Sequence, residues 1–184
     1  MKRVRREELL DWITWSERRP ELLPAILAAK AARRVHLGPR LTLLFENADT
    51  VRYQIQEMMR VERMVRESDI QHELETYNEL LGGPGELGAT LLIEIEDPRT
   101  REQLLPRWLG LPRRIYLALP GEKRAFARVD ERQIGEERVS AVQYLRFDTG
   151  GALPTALGTD FPELAKEVPL AEAQRAALAE DLRS

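Results

Sequence analysis

The chain has 184 residues, 43% of them hydrophobic and 32% charged, with a formal net charge of −3. This balance can bury a core, and it excludes a bulk-disordered chain, which would carry less apolar content or a larger charge imbalance. Cysteine is absent, which removes disulfides, thiolate nucleophiles and cysteine-held zinc or iron–sulfur centres together.

The first segment, Arg5 to about Arg19, places Leu9, Trp12, Ile13 and Ser16 on one helical stripe. Pro20 then reads as the opening residue of a second helix through Leu22, Leu23, Ile26, Leu27 and Ala31. From Arg34 the period changes to two. Arg34 to Leu37 and Leu41 to Glu46 flank Gly38-Pro39-Arg40 as a hairpin. Asn47 and Asp49 compete as N-cap of a helix from about Thr50 to Arg66. Its apolar stripe is Val51, Ile55, Met58, Val61 or Glu62, and Val65, with Met59 off the stripe and free to meet a partner subunit.

Ser68 reads as the cap of a further helix carrying Ile70, Leu74, Tyr77 and Leu81, which Gly82-Gly83-Pro84-Gly85 stops. A strand from Leu87 to Glu96 follows, then a short helix from Pro98 to Leu109. Strands are predicted at Ile115–Leu119, Arg124–Val129 and Val139–Phe147, and a closing helix at Pro169–Leu182. Residues 148–168 read as an irregular stretch, a lid or a linker. Several strands connect directly, without βαβ alternation, so the expected class is α+β: an antiparallel or mixed sheet of about six strands with helices packed on it. One domain is expected, with a helical segment over 1–34, the α+β core over 35–147, and the irregular stretch and last helix over 148–184.

No run approaches the ~20 apolar residues of a membrane-spanning helix. The basic N-terminus lacks the apolar segment of a signal peptide. No membrane partner and a cytoplasmic location are the expectation. Residues 1–66 carry 14 basic against 9 acidic residues, and residues 67–184 carry 14 against 22, a modest sign of a basic docking face.

Five constellations bear on chemistry. Arg52, Gln56, Arg60 and Arg63 are spaced four, four and three apart, one polar stripe on the helix after Glu46. With Glu46 and Asn47 at its N-terminal end, this stripe is the leading candidate for an anion, carboxylate or partner site; ion-paired helix surface gives the same pattern. Glu94 and Glu96 share a strand face, an arrangement that suits Mg²⁺ or an acid–base pair, and equally the solvent side of a strand or pairing with Arg146. His72 and Glu75 form a lone His-x-x-Glu, far short of a di-iron ligand set, so no metal or other cofactor is expected. Met58, Met59 and Met64 fall together as core filler or an adaptable surface. Lys30, Arg33, Arg34, His36 and Arg40 form a basic run suited to phosphates, but no nucleic-acid-binding motif accompanies it.

The run Arg33-Arg34-Val35-His36-Leu37-Gly38-Pro39 and the run from Leu43-Leu44-Phe45-Glu46-Asn47-Ala48-Asp49-Thr50 through Tyr53-Gln54-Ile55-Gln56-Glu57-Met58-Met59-Arg60-Val61-Glu62-Arg63 resemble a bacterial family of unknown function, domain-of-unknown-function family 3501. The resemblance continues at Glu73-Leu74, Tyr77-Asn78, Ala89 to Ile95, Ser140-Ala141-Val142 and Leu145-Arg146-Phe147. It carries no activity. It implies an association with rubrerythrin-like and iron–sulfur proteins, beside which members of the family are often encoded.

Three functional expectations follow. The first is a non-catalytic accessory or interaction protein, homo-oligomeric, with a redox or iron–sulfur partner and the Thr50–Arg66 helix as its working surface. The second is a small enzyme or binder that uses Glu46, Glu94 and nearby arginines on an anionic small molecule, with or without Mg²⁺. The third, disfavoured by the acidic net charge, is nucleic-acid binding.

Overall fold

The computed structural model describes residues 2–130 and 135–184. After a 3-10 turn at Arg6–Glu8, Asp11 caps helix α1 (Trp12–Ala31) by accepting from the backbone N–H groups of Ile13 and Thr14. This corrects the expected break at Pro20, because one helix runs through both Pro20 and Pro24. Each proline removes a single i to i−4 donor. Both prolines are exposed, so the carbonyls they leave, those of Ser16 and Pro20, lie on the outer side of the helix. Packing of α1 on its neighbour outweighs the lost bonds.

Strands β1 (Arg34–His36) and β2 (Leu41–Glu46) form the expected hairpin, with Val35 opposite Leu43. Asn47, rather than Asp49, caps α2 (Ala48–Val61), and Asn47 and Thr50 exchange reciprocal bonds. The helix ends five residues before the expected Arg66, where Arg63 takes a left-handed φ of 50°. Its buried side is Val51, Ile55, Gln56 and Met59, with Met58 only half-buried, which corrects the expected stripe. Positions 51, 55 and 59 follow strict i+4 spacing, and Met59 thereby faces the N-terminal segment and the next helix. That helix, α3 (Glu67–Asn78), has Arg66 rather than Ser68 at its cap position.

The remaining elements are β3 (Glu86–Ile93), α4 (Pro98–Arg107), β4 (Ile115–Leu119), β5 (Lys123–Phe126), β6 (Arg128–Val129), β7 (Val142–Asp148), β8 (Ala156–Thr159), β9 (Lys166–Pro169) and α5 (Glu172–Arg183). Among the described residues the strands form two antiparallel sheets, β1-β2-β3-β7-β6 and β5-β4-β8-β9. The class is α+β, with its strands shared between two sheets rather than gathered in one. The strand expected over Arg124–Val129 divides at Ala127, β5 joining one sheet and β6 the other. Residues 148–168, expected to be irregular, supply β8 and the start of β9.

Both sheets contribute to one core. Leu41, Leu43, Phe45, Leu91 and Phe147 of the first sheet join Ile115, Leu117 and Leu157 of the second, with Trp108 from beyond α4 and Leu178 from α5. A second cluster joins Val4 and Leu9 to Val51, Ile55 and Met59 of α2 and to Ile70 and Leu74 of α3. Two glycines permit close approach. A Cβ on Gly88 in β3 would lie 1.8 Å from the Leu80 carbonyl oxygen, and one on Gly158 in β8 would lie 2.4 Å from the Tyr116 ring.

The ends of the chain are joined by a buried ion pair. Arg33, between α1 and β1, donates from Nε and Nη2 to the two carboxylate oxygens of Asp181 in α5, both at 2.8 Å. Burial opposes the guanidinium charge, but the hydrogen bond and the charge of Asp181 outweigh it and raise the Arg33 pKa. Removing one partner strands the other charge in the interior. Arg33→Met is therefore expected to cost about 3–5 kcal/mol in chemical denaturation, and adding Asp181→Leu to recover most of that loss.

Candidate functional site

One face of the first sheet lies against the core. The other carries Arg34 and His36 of β1, Thr42, Leu44 and Glu46 of β2, Thr90 of β3 and Tyr144 of β7, as the register requires. Glu46 is buried at the end of β2. Its carboxylate accepts from Thr50 Oγ1 at 2.5 Å and from Thr90 Oγ1 at 2.7 Å. Lys30, near the C-terminal end of α1, lies 4.6 Å above the Tyr53 ring of α2. Burial lowers the Lys30 pKa, and the charge of Glu46 works against that shift. Burial, and then the charge of Glu46, raises the pKa of Tyr144. Asn47 caps α2 and also donates to Asp181 Oδ1 at 3.4 Å, which links this centre to the Arg33–Asp181 pair.

The polar stripe of α2 is turned toward the N-terminal segment and α1. Gln56, 2% exposed, brackets the backbone of Leu10, accepting from its N–H at 2.6 Å and donating to its carbonyl at 3.0 Å. Asn78 does the same to Val4, at 2.9 Å in both bonds. Two side-chain amides thus hold an irregular segment much as a neighbouring strand would. Arg52 pairs with Asp49 at 2.5 Å and approaches Glu8 at 4.0 Å. Arg60 pairs with Glu57, and Arg63, beyond the helix, lies 5.9 Å from the Trp12 ring.

Between α1 and α2 runs a groove of about 300 Å³, with apolar walls from Trp15, Leu22 and Ile26 and a polar edge from Glu8, Asp49 and Arg52. Of the candidate residues, Arg52 and Gln56 line it, while Glu46 and Asn47 belong to the sheet-side centre.

Glu94 belongs to neither. It lies beyond the end of β3, exposed, and accepts from Thr42 Oγ1 at 2.5 Å; Thr42 in turn meets His36 Nδ1 at 2.9 Å. Glu46 sits opposite Gly88, six positions before Glu94 on β3. At ~3.3 Å per residue their backbones are about 20 Å apart, and each carboxylate is engaged by a different threonine, Glu46 by Thr90 and Glu94 by Thr42. Of the two plain readings of the strand carboxylates, the solvent side holds, since Glu94 and Glu96 are both exposed, while Arg146 donates to the Glu79 carbonyl. Asp97 caps α4. Among the described residues no three His, Asp or Glu side chains converge as metal ligands.

Sequence reasoning missed Lys30, Tyr53, Thr90, Tyr144 and Asp181 as neighbours of Glu46 and Asn47. Thr90 had a local signal, a hydroxyl within an otherwise apolar strand. Asp181 had none, because its partner lies 148 positions away.

Glu57 carries the α1–α2 contact. Its side chain is 15% exposed and accepts from Trp15 Nε1 at 2.8 Å and Arg19 Nε at 2.9 Å. Burial alone would raise its pKa; the bonds from Arg19, Trp15 and Arg60 overcome that and bring it down to about 2. Because the folded value lies below the unfolded one, this stabilisation is whole above pH ~4.5 and is lost as pH falls through about 2. Glu57→Gln is expected to lower stability at pH 7 by about 2–3 kcal/mol. The gap to the parent should shrink between pH 4.5 and pH 2 in urea titrations at several pH values.

Among the described residues no helix is long and apolar enough to cross a membrane. No curated protein is detectably similar to the chain. The crystal structure of a novel protein of unknown function from Burkholderia pseudomallei K96243 superposes with a TM-score of 0.90 at 32% identity, covering 98% of this chain and 100% of that one. The family model for the protein of unknown function DUF3501 matches residues 3–182, so the family pattern takes in β8, β9 and α5 as well as the motifs around Glu46. The chain belongs to the DUF3501 family.

Proposed function

We propose that this protein is a non-catalytic interaction protein that docks a partner protein along the outer side of α1. The observation that carries this reading is the exposed stripe Ile13, Glu17, Pro20, Pro24, Leu27 and Ala31, spaced four, three, four, three and four apart. All but Glu17 are apolar, and Ile13 and Leu27 are each 53% exposed. The stripe is ~27 Å long at 1.5 Å per residue, the length of one face of a partner helix. A solvent-facing helix side ordinarily carries charge. This one instead offers apolar side chains and the two carbonyls freed by its prolines. The charged stripe of α2 supports the reading indirectly, since its pairs fasten α1 and the N-terminal segment to the body of the protein.

The family association nominates an iron–sulfur or rubrerythrin-like protein as the partner. The test is affinity capture from nuclease-treated host lysate, comparing the parent with Ile13→Asp/Leu27→Asp. Both residues are exposed, so the unfolding midpoint of the double variant should match the parent. Recovery of an iron–sulfur or rubrerythrin-like protein is expected to fall about tenfold or more in the variant. Equal recovery by both proteins overturns the α1 assignment. A purified parent that sediments as a dimer, and a double variant that sediments as a monomer, would assign the stripe to a second copy of the chain instead.

A further inference from the structure

Helix α1 is 20 residues long, yet Trp15 is its one buried residue. The side it turns toward α2 is loosely filled. Ala25 and Ala29, one turn apart, put small side chains there beside Leu22 and Ile26, which stay half-buried. The space they leave is the groove of about 300 Å³, lined also by Trp15 and Tyr53, whose rings meet edge to face with centroids 6.2 Å apart. An apolar cavity of about 150 Å³ holds one benzene ring, and sites for small molecules begin near the volume found here. At ~100° per residue the α1 residues that line the groove lie on the side opposite Ile13 and Leu27, so the groove is separate from the docking stripe.

The polar edge of the groove decides what kind of molecule it takes. Gln56 is committed, its oxygen and nitrogen both engaged by Leu10. Glu8 accepts from the Arg5 N–H at 2.7 Å, and the Asp49 side chain, 56% exposed, stands in water. Arg52 uses Nη2 on Asp49, and its Nη1 stays 4.0 Å from Glu8, beyond hydrogen-bond reach. Among the described residues its Nε and Nη1 have no hydrogen-bond acceptor, so the edge has a donor to spare. A ligand group that accepts from it also meets the charges of Glu8 and Asp49, which repel an anion. We propose that the groove binds a small uncharged aromatic molecule that carries a carbonyl group. Its ring lies between α1 and α2 against Trp15 and Tyr53, and its carbonyl oxygen accepts from Arg52.

The three tryptophans are Trp12, Trp15 and Trp108, so the indole N–H signals of ¹⁵N-labelled protein report the groove and the core between the sheets separately. Acetophenone is the probe, with ethylbenzene, phenylacetate and 2-phenylethylammonium as relatives that lack the carbonyl or carry a charge. Acetophenone is expected to move the Trp15 signal saturably and leave Trp108 in place. Ethylbenzene and the two ions should bind about tenfold more weakly. Arg52→Met, which keeps an apolar stem, should bring acetophenone down to the level of ethylbenzene. Ala25→Leu, at an exposed position, and Ala29→Leu each fill the groove and should weaken acetophenone about tenfold or more, with an unfolding midpoint no lower than the parent's. A Trp15 signal that stays still, drifts without saturating or moves together with Trp108 overturns the proposal. So does an affinity unchanged in both leucine variants. Tighter binding of phenylacetate or 2-phenylethylammonium than of acetophenone, or an acetophenone affinity indifferent to Arg52→Met, overturns the assignment of an uncharged carbonyl ligand.

Discussion

The buried pair between Arg33 and Asp181 is the constraint on which the arrangement of this protein depends. It joins the end of α1 to the last helix across 148 positions of sequence, and Asn47 at the start of α2 reaches the same carboxylate. Three elements are therefore placed relative to one another by a single carboxylate. The pairing also decides the direction of the neighbouring chain. With Arg33 turned inward, the alternation of β1 sends Arg34 and His36 to the opposite face, away from the core.

Around that constraint the protein separates two kinds of cohesion. The space shared by the two sheets is apolar and closes by area removed from water, which is non-directional. The N-terminal layer is joined largely by directional contacts: two amides that bracket the backbones of Leu10 and Val4, a carboxylate that gathers Trp15, Arg19 and Arg60, and ion pairs along α2. Such contacts fix register more than they add stability. They explain how α1 can hold one position while leaving exposed a stripe that is apolar at all positions but Glu17.

Much of the site was legible as residues and little of it as geometry. Glu46, Asn47, Arg52 and Gln56 stand out by spacing, but the structure divides them, Glu46 and Asn47 lying at the sheet-side centre and Arg52 and Gln56 lining the groove between α1 and α2. Their company could not be read. Lys30 and Tyr53 come together through helix packing, Thr90 and Tyr144 through strand register, and Asp181 through a contact from the far end of the chain. Glu94 joins Glu46 in the enzyme reading as a second strand carboxylate; the antiparallel register sends them to opposite ends of the same face. Met58 and Met59 exchanged roles because adjacent helical positions differ by only ~100°, and which of them faces inward depends on where the neighbouring helix lies.

Local chemistry alone determined the hairpin after Arg34, a capped helix start at Asn47 or Asp49, the strand around Leu91 and the α+β class, since turn residues, caps and periodicity act within a few positions. Tertiary structure alone decided that α1 runs unbroken through two prolines, because packing on α2 offsets bonds that local rules count as lost. It also decided that the strand after Pro120 divides between two sheets, and that the short segments Ala156–Thr159 and Lys166–Pro169 are strands at all. Segments of four residues carry too little pattern to declare themselves. Their backbone groups become a sheet only when β4 is already in place to pair with β8.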